Sequence, residues 1–153
     1  MIYHSPIGNI RIHIRDGKLL NVDFSVEDAD GQSIPDDELS QSTLRQTIEW
    51  LDTYFDGHIP SFLPPLSPQG TLFQKRVWNA LLNIPYGTTT SYADIAKSVG
   101  CKSAQAVGQA IGKNPICIII PCHRVIGRNG HLTGYAWGLQ IKNKLVETEK
   151  SFL

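Results

Sequence analysis

Between Ser61 and Gly70 the chain reads SFLPPLSPQG, three prolines and a glycine in ten residues. Proline lacks the backbone donor that helix and sheet ladders use, so we expect neither to run through this stretch. The charge changes sign at the same place. Residues 1–66 carry four basic side chains against eleven acidic ones, a net −7, and residues 67–153 carry ten against three, a net +7. The coincidence predicts a boundary between an N-terminal subdomain, 1–66, and a C-terminal domain, 67–153. Such polarity suggests that the second domain faces a polyanion with the first turned away. A solvated surface whose charges happen to segregate is the plainer alternative.

Other classes drop out quickly. The longest uninterrupted apolar run, Ile116 to Ile120, has the length of a buried strand and falls far short of a membrane span. The opening MIYHSPIGNIRIH has no basic block followed by an apolar one, so no secretory signal is expected. Three cysteines, an odd number without framework spacing, suggest free thiols in a reducing compartment, and the cytoplasm is the expected location. With 41% apolar residues the chain has enough to build a core.

Local patterns set the expected elements. Ile10, Ile12 and Ile14 alternate at period two, Asp16-Gly17 offers a tight turn, and Leu19 to Phe24 returns as the second strand of a hairpin. Residues 25–40 read as an acidic loop. Leu44, Ile48, Leu51 and Phe55 recur at helical spacing from Ser40 to a stop at Gly57. Beyond the proline-rich break, Thr71-Leu-Phe-Gln74 has the form of a capping box, opening a helix with Phe73, Val77 and Leu81 on one face. A second helix starts at Ser91-Tyr-Ala-Asp94 and stops at Gly100, and a third spans Ser103 to Gly112, the spacing of a helix-turn-helix. The apolar run 116–120 is expected as a buried strand ending at Pro121. A turn at Asn129-Gly130 leads to Leu132-Thr-Gly-Tyr135, and a last helix carries Ile141, Leu145 and Glu149.

The chemistry concentrates in Ile119-Ile-Pro121-Cys122-His123-Arg124-Val125-Ile126-Gly127. Burial raises a thiol's pKa and silences it unless a neighbouring base or positive charge favours the thiolate. His123 and Arg124 follow Cys122 directly, and Glu149 on the final helix is placed to orient the histidine. Cysteine, histidine and carboxylate form a nucleophilic constellation. A Cys-His dipeptide alone is weak evidence, since buried structural cysteines outnumber catalytic ones.

PCHRV followed by IGRNGHLTGYAWGL resembles the active-site signature of the 6-O-alkylguanine-DNA alkyltransferases. GTLFQKRVW at 70–78, Ile84-Pro-Tyr-Gly87, Ser91-Tyr92, Ala106-Val107-Gly108 and Lys113-Asn114-Pro115 fall in that family's order and spacing. The specific resemblance covers about residues 70–149, and Ser5-Pro-Ile-Gly8 matches the family's first domain more loosely. It implies an α+β fold: a small ribonuclease-H-like N-terminal subdomain followed by a helical winged-helix domain containing the helix-turn-helix. It also implies single-turnover repair of 6-O-alkylguanine in duplex DNA, no cofactor, no membrane and a monomer.

The resemblance assigns roles. Cys122 would accept the alkyl group, His123 would withdraw the thiol proton through a water, and Glu149 would polarise that histidine. Asn114 would join the turn between the recognition helix and the active-site strand, satisfying backbone groups otherwise stranded. Tyr92 would crowd a phosphate and contact the flipped base, Tyr135 would wall the guanine pocket, and the Cys122 and Val125 carbonyls would accept from the guanine amino group. Arg124 and Ala106 complete the expected substrate and DNA contacts. The small residues Ala104, Ala106, Gly108, Ala110 and Gly112 would let the recognition helix lie close in a minor groove.

Two positions depart from the family pattern. Gln105 stands where an arginine commonly fills the gap left by the flipped base, and Trp137 stands near the pocket where glycine is common. Trp137 would either narrow the pocket against bulky alkyl groups or stack on them. His4, His13 and His58 have no cysteine partners nearby in sequence, so no metal site is expected. Three rivals remain. A sensor that binds alkylated DNA without accepting the group would lack Cys122. A winged-helix regulator would leave PCHRV, Tyr135 and Glu149 unexplained. A papain-like hydrolase would carry its histidine far from its cysteine.

Overall fold

A computed structural model describes residues 1–24, 34–127 and 134–152, and the chain divides into two compact units, Met1–Gln69 and Gly70–Leu153. The expected turn at Asn129-Gly130 and residues 25–33 of the expected acidic loop lie outside the described residues.

The first unit is an antiparallel sheet under one helix. Strands β1 (Ile2–Ser5), β2 (Gly8–Arg15) and β3 (Lys18–Asp23) pair in the order β1-β2-β3. Alternation places Ile10 and Ile12 in the core and Arg11 outside. The β2–β3 turn puts both Asp16 (φ 54°) and Gly17 (φ 77°) in the left-handed region, the backbone that a two-residue hairpin with right-handed twist demands. Helix α1 (Glu38–Phe55) packs Leu44, Trp50, Leu51 and Tyr54 inward. Its cap is Asp37, which accepts from Ser40 N–H at 2.8 Å, so Ser40 is not the helix start that the pattern suggested. Ser40 and Thr43 instead grip the hairpin turn: Gly17 N–H donates to Ser40 Oγ at 2.8 Å, and Thr43 Oγ1 donates to Gly17 O at 2.6 Å. The proline-rich stretch is not wholly irregular. Leu66 makes a single parallel bridge to Leu19, with Leu19 N–H donating to Pro65 O and Ser67 N–H to Leu19 O, both at 2.8 Å.

The second unit is mostly helical. Helix α2 (Leu72–Leu81) opens on the full Thr71–Gln74 capping box and buries Val77, Trp78 and Leu81. Trp78 Nε1 donates to Ala110 O at 2.8 Å, tying α2 to the helix below it. Helix α3 (Tyr92–Ser98) is capped by Ser91 and helix α4 (Ala104–Gly112) by Ser103. Gly100, at φ +70°, turns the chain between them. A two-residue parallel pair, β4 (Thr90–Ser91) with β5 (Val125–Ile126), was not expected from the sequence. It fastens the segment after Cys122 to the residue before Tyr92. Helix α5 (Leu139–Ser151) buries Lys142, Leu145, Val146 and Glu149 along one face.

The run 116–120 is buried as expected, but it is not a strand. It folds through turns, with Ile119 N–H bonded to Cys117 O at 2.8 Å and Ile120 N–H to Ile116 O at 3.1 Å. Asn114 explains why: its Oδ1 accepts from Ile116 N–H at 3.0 Å and its Nδ2 donates to Ile120 O at 2.9 Å. Bracing both ends of a five-residue segment from one side chain folds it back. Ile118 sits at φ +69°, a costly conformation for a β-branched residue, and persists because its surroundings over-determine it.

Candidate active site

The site is built where that braced loop delivers Cys122 into a 3-10 turn, Cys122–Arg124, against the buried face of α5. Cys122 is 7% exposed and His123 is fully buried. Burial pushes the Cys122 thiol up from its ordinary range, and four influences oppose it: hydrogen bonding to Asn114, the charge of Lys142, its own backbone and the Tyr135 side chain.

Behind the thiol stands a fixed relay. His123 Nε2 is hydrogen-bonded to Glu149 Oε2. The other carboxylate oxygen accepts from Arg124 Nε at 2.7 Å and from Gly87 N–H at 3.1 Å. Burial alone would push Glu149 up, but its bonds to His123 and Arg124 and their charges hold it down at about 2. Burial also lowers His123, so the imidazole is neutral near neutral pH, despite the raising influence of Glu149. A neutral ring beside an ionised carboxylate must carry its proton on Nε2, because the carboxylate only accepts. That leaves Nδ1 as the basic nitrogen, buried and without a hydrogen-bond partner among the described residues.

Arg124 is a correction. It was expected at the DNA surface, yet it is 8% exposed, with Nη1 donating to Ile84 O at 2.8 Å and the guanidinium 5.5 Å from the Tyr86 ring centroid. It joins the Ile84-Pro-Tyr-Gly87 turn to Glu149 and has no free face for a phosphate. Lys142, counted with the basic surface, is likewise buried, at 1% exposure. The signal that would have found it is its spacing: it lies three residues before Leu145 and seven before Glu149, on the helix face turned inward.

The remaining expected residues divide by position. A cavity of about 20 Å³ adjoins Cys122, walled by Asn114, Tyr135, Ala136 and Trp137 among others. Beside it lies an open groove of about 830 Å³ between α3, α4 and the 134–136 segment, lined by Tyr92, Gln105, Gly108 and Tyr135 among others. Ala106 is half-buried and does not line the groove, and Ala110 is buried against the core, so the small-residue stripe is narrower than the sequence suggested. The ring of Tyr92 lies 3.6 Å from where a Cβ on Gly108 would stand, which fits glycine or alanine there and little more. Val125 is fully buried, its N–H bonded to Cys122 O. Among the described residues no three His, Cys, Asp or Glu side chains group as a metal site, and no helix is long and apolar enough to cross a membrane.

Known proteins share this architecture throughout. Residues 1–68 match the model of the 6-O-methylguanine DNA methyltransferase ribonuclease-like domain, and residues 72–151 match that of the 6-O-methylguanine DNA methyltransferase DNA binding domain. The chain is 47% identical over 152 residues to a methylated-DNA–protein-cysteine methyltransferase of Methanosarcina acetivorans, covering 98% of this chain and 97% of the relative. The crystal structure of the Mycobacterium tuberculosis O6-methylguanine methyltransferase superposes with a TM-score of 0.83 at 41% identity, covering 99% of this chain and 92% of that one. The Mycobacterium tuberculosis protein in complex with DNA superposes with a TM-score of 0.84 at 42% identity, with the same coverage.

Proposed function

The chain belongs to the 6-O-methylguanine DNA methyltransferase family, and from that premise we propose that it repairs DNA by moving the alkyl group of a 6-O-alkylguanine onto Cys122, once per molecule. The observation that carries the reading is the Cys122–His123–Glu149 arrangement at the foot of a groove shaped by α3 and α4. A DNA duplex hides the guanine oxygen from a buried thiol, so the nucleotide must leave the stack and enter the groove.

The reaction balances without a co-reactant. The Cys122 Sγ–H proton passes to His123 Nδ1 through a water, while Glu149 steadies the growing imidazolium charge. The thiolate attacks the alkyl carbon in line. A sulfur–carbon bond forms as the carbon–oxygen bond breaks, and the electron pair leaves with the guanine, which takes up a proton from water as the His123 imidazolium returns its own to solvent, so the net transfer is of the thiol proton to guanine. The thioether is stable and no second group in the cluster can remove it, so the protein is consumed. In this reading α3 and α4 form a helix-turn-helix within a winged-helix domain that enters the minor groove. Tyr92 and Gln105 lie at the extruded nucleotide, Tyr135 walls the base, and the protein works as a cytoplasmic monomer.

Incubation with an oligonucleotide carrying 6-O-methylguanine, followed by peptide mass spectrometry, tests it. One methyl group appears on the Cys122 peptide, at no more than one equivalent, and Cys122→Ser abolishes it. A methyl group on Cys101 or Cys117 instead overturns the assignment.

A further inference from the structure

Pro85 to Thr88 form a tight turn. Thr88 N–H donates to Pro85 O at 3.1 Å, and Thr88 Oγ1 donates to the same oxygen at 2.8 Å. Gly87, the third residue of the turn, sits at φ +78°, while Tyr86 before it is outside the left-handed region. That combination defines a type II turn, which differs from the commoner type I by a reversal of the central peptide, here Tyr86–Gly87. Type II needs a positive φ at its third position, where glycine meets no steric penalty and other L residues do.

The turn type decides what the central peptide shows to the relay. In the type II form Gly87 N–H meets Glu149 Oε1 at 3.1 Å. In the type I form the Tyr86 carbonyl would face that oxygen instead, one acceptor against another. The same turn holds Arg124, whose Nη1 donates to Ile84 O at 2.8 Å and whose guanidinium lies 5.5 Å from the Tyr86 ring centroid. His123 and Arg124, which also hold Glu149, are neighbours on one 3-10 turn, so a shift of that turn would carry the carboxylate with it. Gly87 reaches the carboxylate from a different part of the chain and fixes its plane from a second direction.

We propose that Gly87 is a positioning residue for alkyl transfer, its left-handed backbone aiming the N–H that fixes the Glu149 carboxylate and, through it, the nitrogen of His123 that carries the proton. Gly87 touches neither the thiol nor the base. The proposal rests on Cys122 being the acceptor and His123 its base, but the His123 tautomer can be read without nucleic acid.

The test compares Gly87→Ala with D-alanine at the same position, placed in the full chain by semisynthesis. Gly87→Ala favours the type I form and lowers the maximal single-turnover rate of methyl transfer about tenfold. The DNA concentration giving half of that rate is unchanged. Nitrogen NMR of the free protein shows the His123 proton moving in part from Nε2 to Nδ1. D-alanine, which is at ease at positive φ, restores both the rate and the tautomer. A Gly87→Ala chain with the parent rate overturns the proposal, as does a rate that falls with the tautomer unmoved. A loss shared by D-alanine shows crowding by the added methyl group and overturns it too. Should Gly87→Ala fail to fold, exchange of the Tyr86–Gly87 amide for an ester removes the N–H alone. The same loss is then expected, and parent behaviour overturns the proposal. A tautomer that follows Gly87 in a chain that accepts no methyl group supports the positioning role and overturns the transfer reading. A chain that accepts methyl at the parent rate in every variant does the reverse.

Discussion

Arg124 Nε and Glu149 Oε1 meet at 2.7 Å inside the second unit, and that ion pair decides which nitrogen of His123 is basic. With one carboxylate oxygen held by Arg124, the other accepts from His123 Nε2, and Nδ1 is left for the thiol's proton. Glu149→Gln supplies one accepting oxygen where two are used, so one bond is lost or reversed. Methyl transfer to Cys122 is expected to slow about a hundredfold, the scale of a misdirected general base. Stability falls as well, since removing one partner of a buried pair costs roughly 3–5 kcal/mol. Single-turnover rates and denaturant melts measure the two separately.

Acid should unfold this unit in two overlapping steps. His123 is lowered from its ordinary 6.5, so below that pH the unfolded chain binds a proton that the folded one resists, and stability drops. Glu149 is lowered from 4.5 to about 2, so its contribution, complete above 4.5, is lost as pH falls through 2. Thermal melts across this range should show a continuous decline below 6.5, and Glu149→Gln should flatten its lower end. A parent melting temperature unchanged between pH 6 and 3 would contradict the buried relay.

Most elements were legible because their signals are local. Asp16-Gly17, the Thr71–Gln74 box, and the Ser91 and Ser103 caps each announce themselves within four residues, and the structure carries all of them. Cys122, His123, Glu149 and Asn114, which the structure brings together, were each named through motif and resemblance. What the sequence hid was long-range. Five apolar residues in a row look the same whether they extend or fold around an asparagine, and nothing in their order reveals Ile118 at positive φ. Arg124 and Lys142 read as surface charge because lysine and arginine are almost always exposed, and only the packing of α5 shows otherwise.

Trp137 and the small cavity it helps wall beside Cys122 bear on alkyl size. The indole takes up room beside the sulfur that a bulky alkyl group would need. Trp137→Gly should therefore raise the rate with 6-O-benzylguanine at least tenfold relative to 6-O-methylguanine in the same oligonucleotide, measured by competition. A preference that shifts toward methyl instead would mean that the indole stacks on large adducts.

Binding to duplex DNA should weaken steeply with salt and show little sequence preference. Of the ten basic residues in 67–153, seven are exposed, Arg124 and Lys142 are buried, and Arg128 lies outside the described residues. Lys102→Gln and Lys113→Gln, near the two ends of α4, are each expected to reduce the salt slope by about one unit where the lysine meets a phosphate. Lys142→Gln should leave the slope unchanged, because a buried ammonium releases no counterion. Titrations by fluorescence anisotropy at several salt concentrations decide between them.

Gln105 is exposed at the second position of α4 and lines the groove with Tyr92 and Gly108. If it occupies the gap left by an extruded nucleotide, its task is to hold the orphaned base while the lesion sits against Cys122. Glutamine reaches less far than arginine and lacks the planar cation that stacks and pairs with acceptors. Gln105→Arg should then speed repair of duplex DNA and leave the reaction with free 6-O-benzylguanine almost unchanged. Extrusion costs a few kcal/mol, so a finger that recovers about one of them gives roughly a fivefold gain. Gln105→Gly should slow the duplex reaction and spare the free base. Equal effects on both substrates would show that Gln105 shapes the pocket rather than the extrusion step. Faster duplex repair by the glycine variant would show that the glutamine obstructs extrusion, and the finger reading would have to be abandoned.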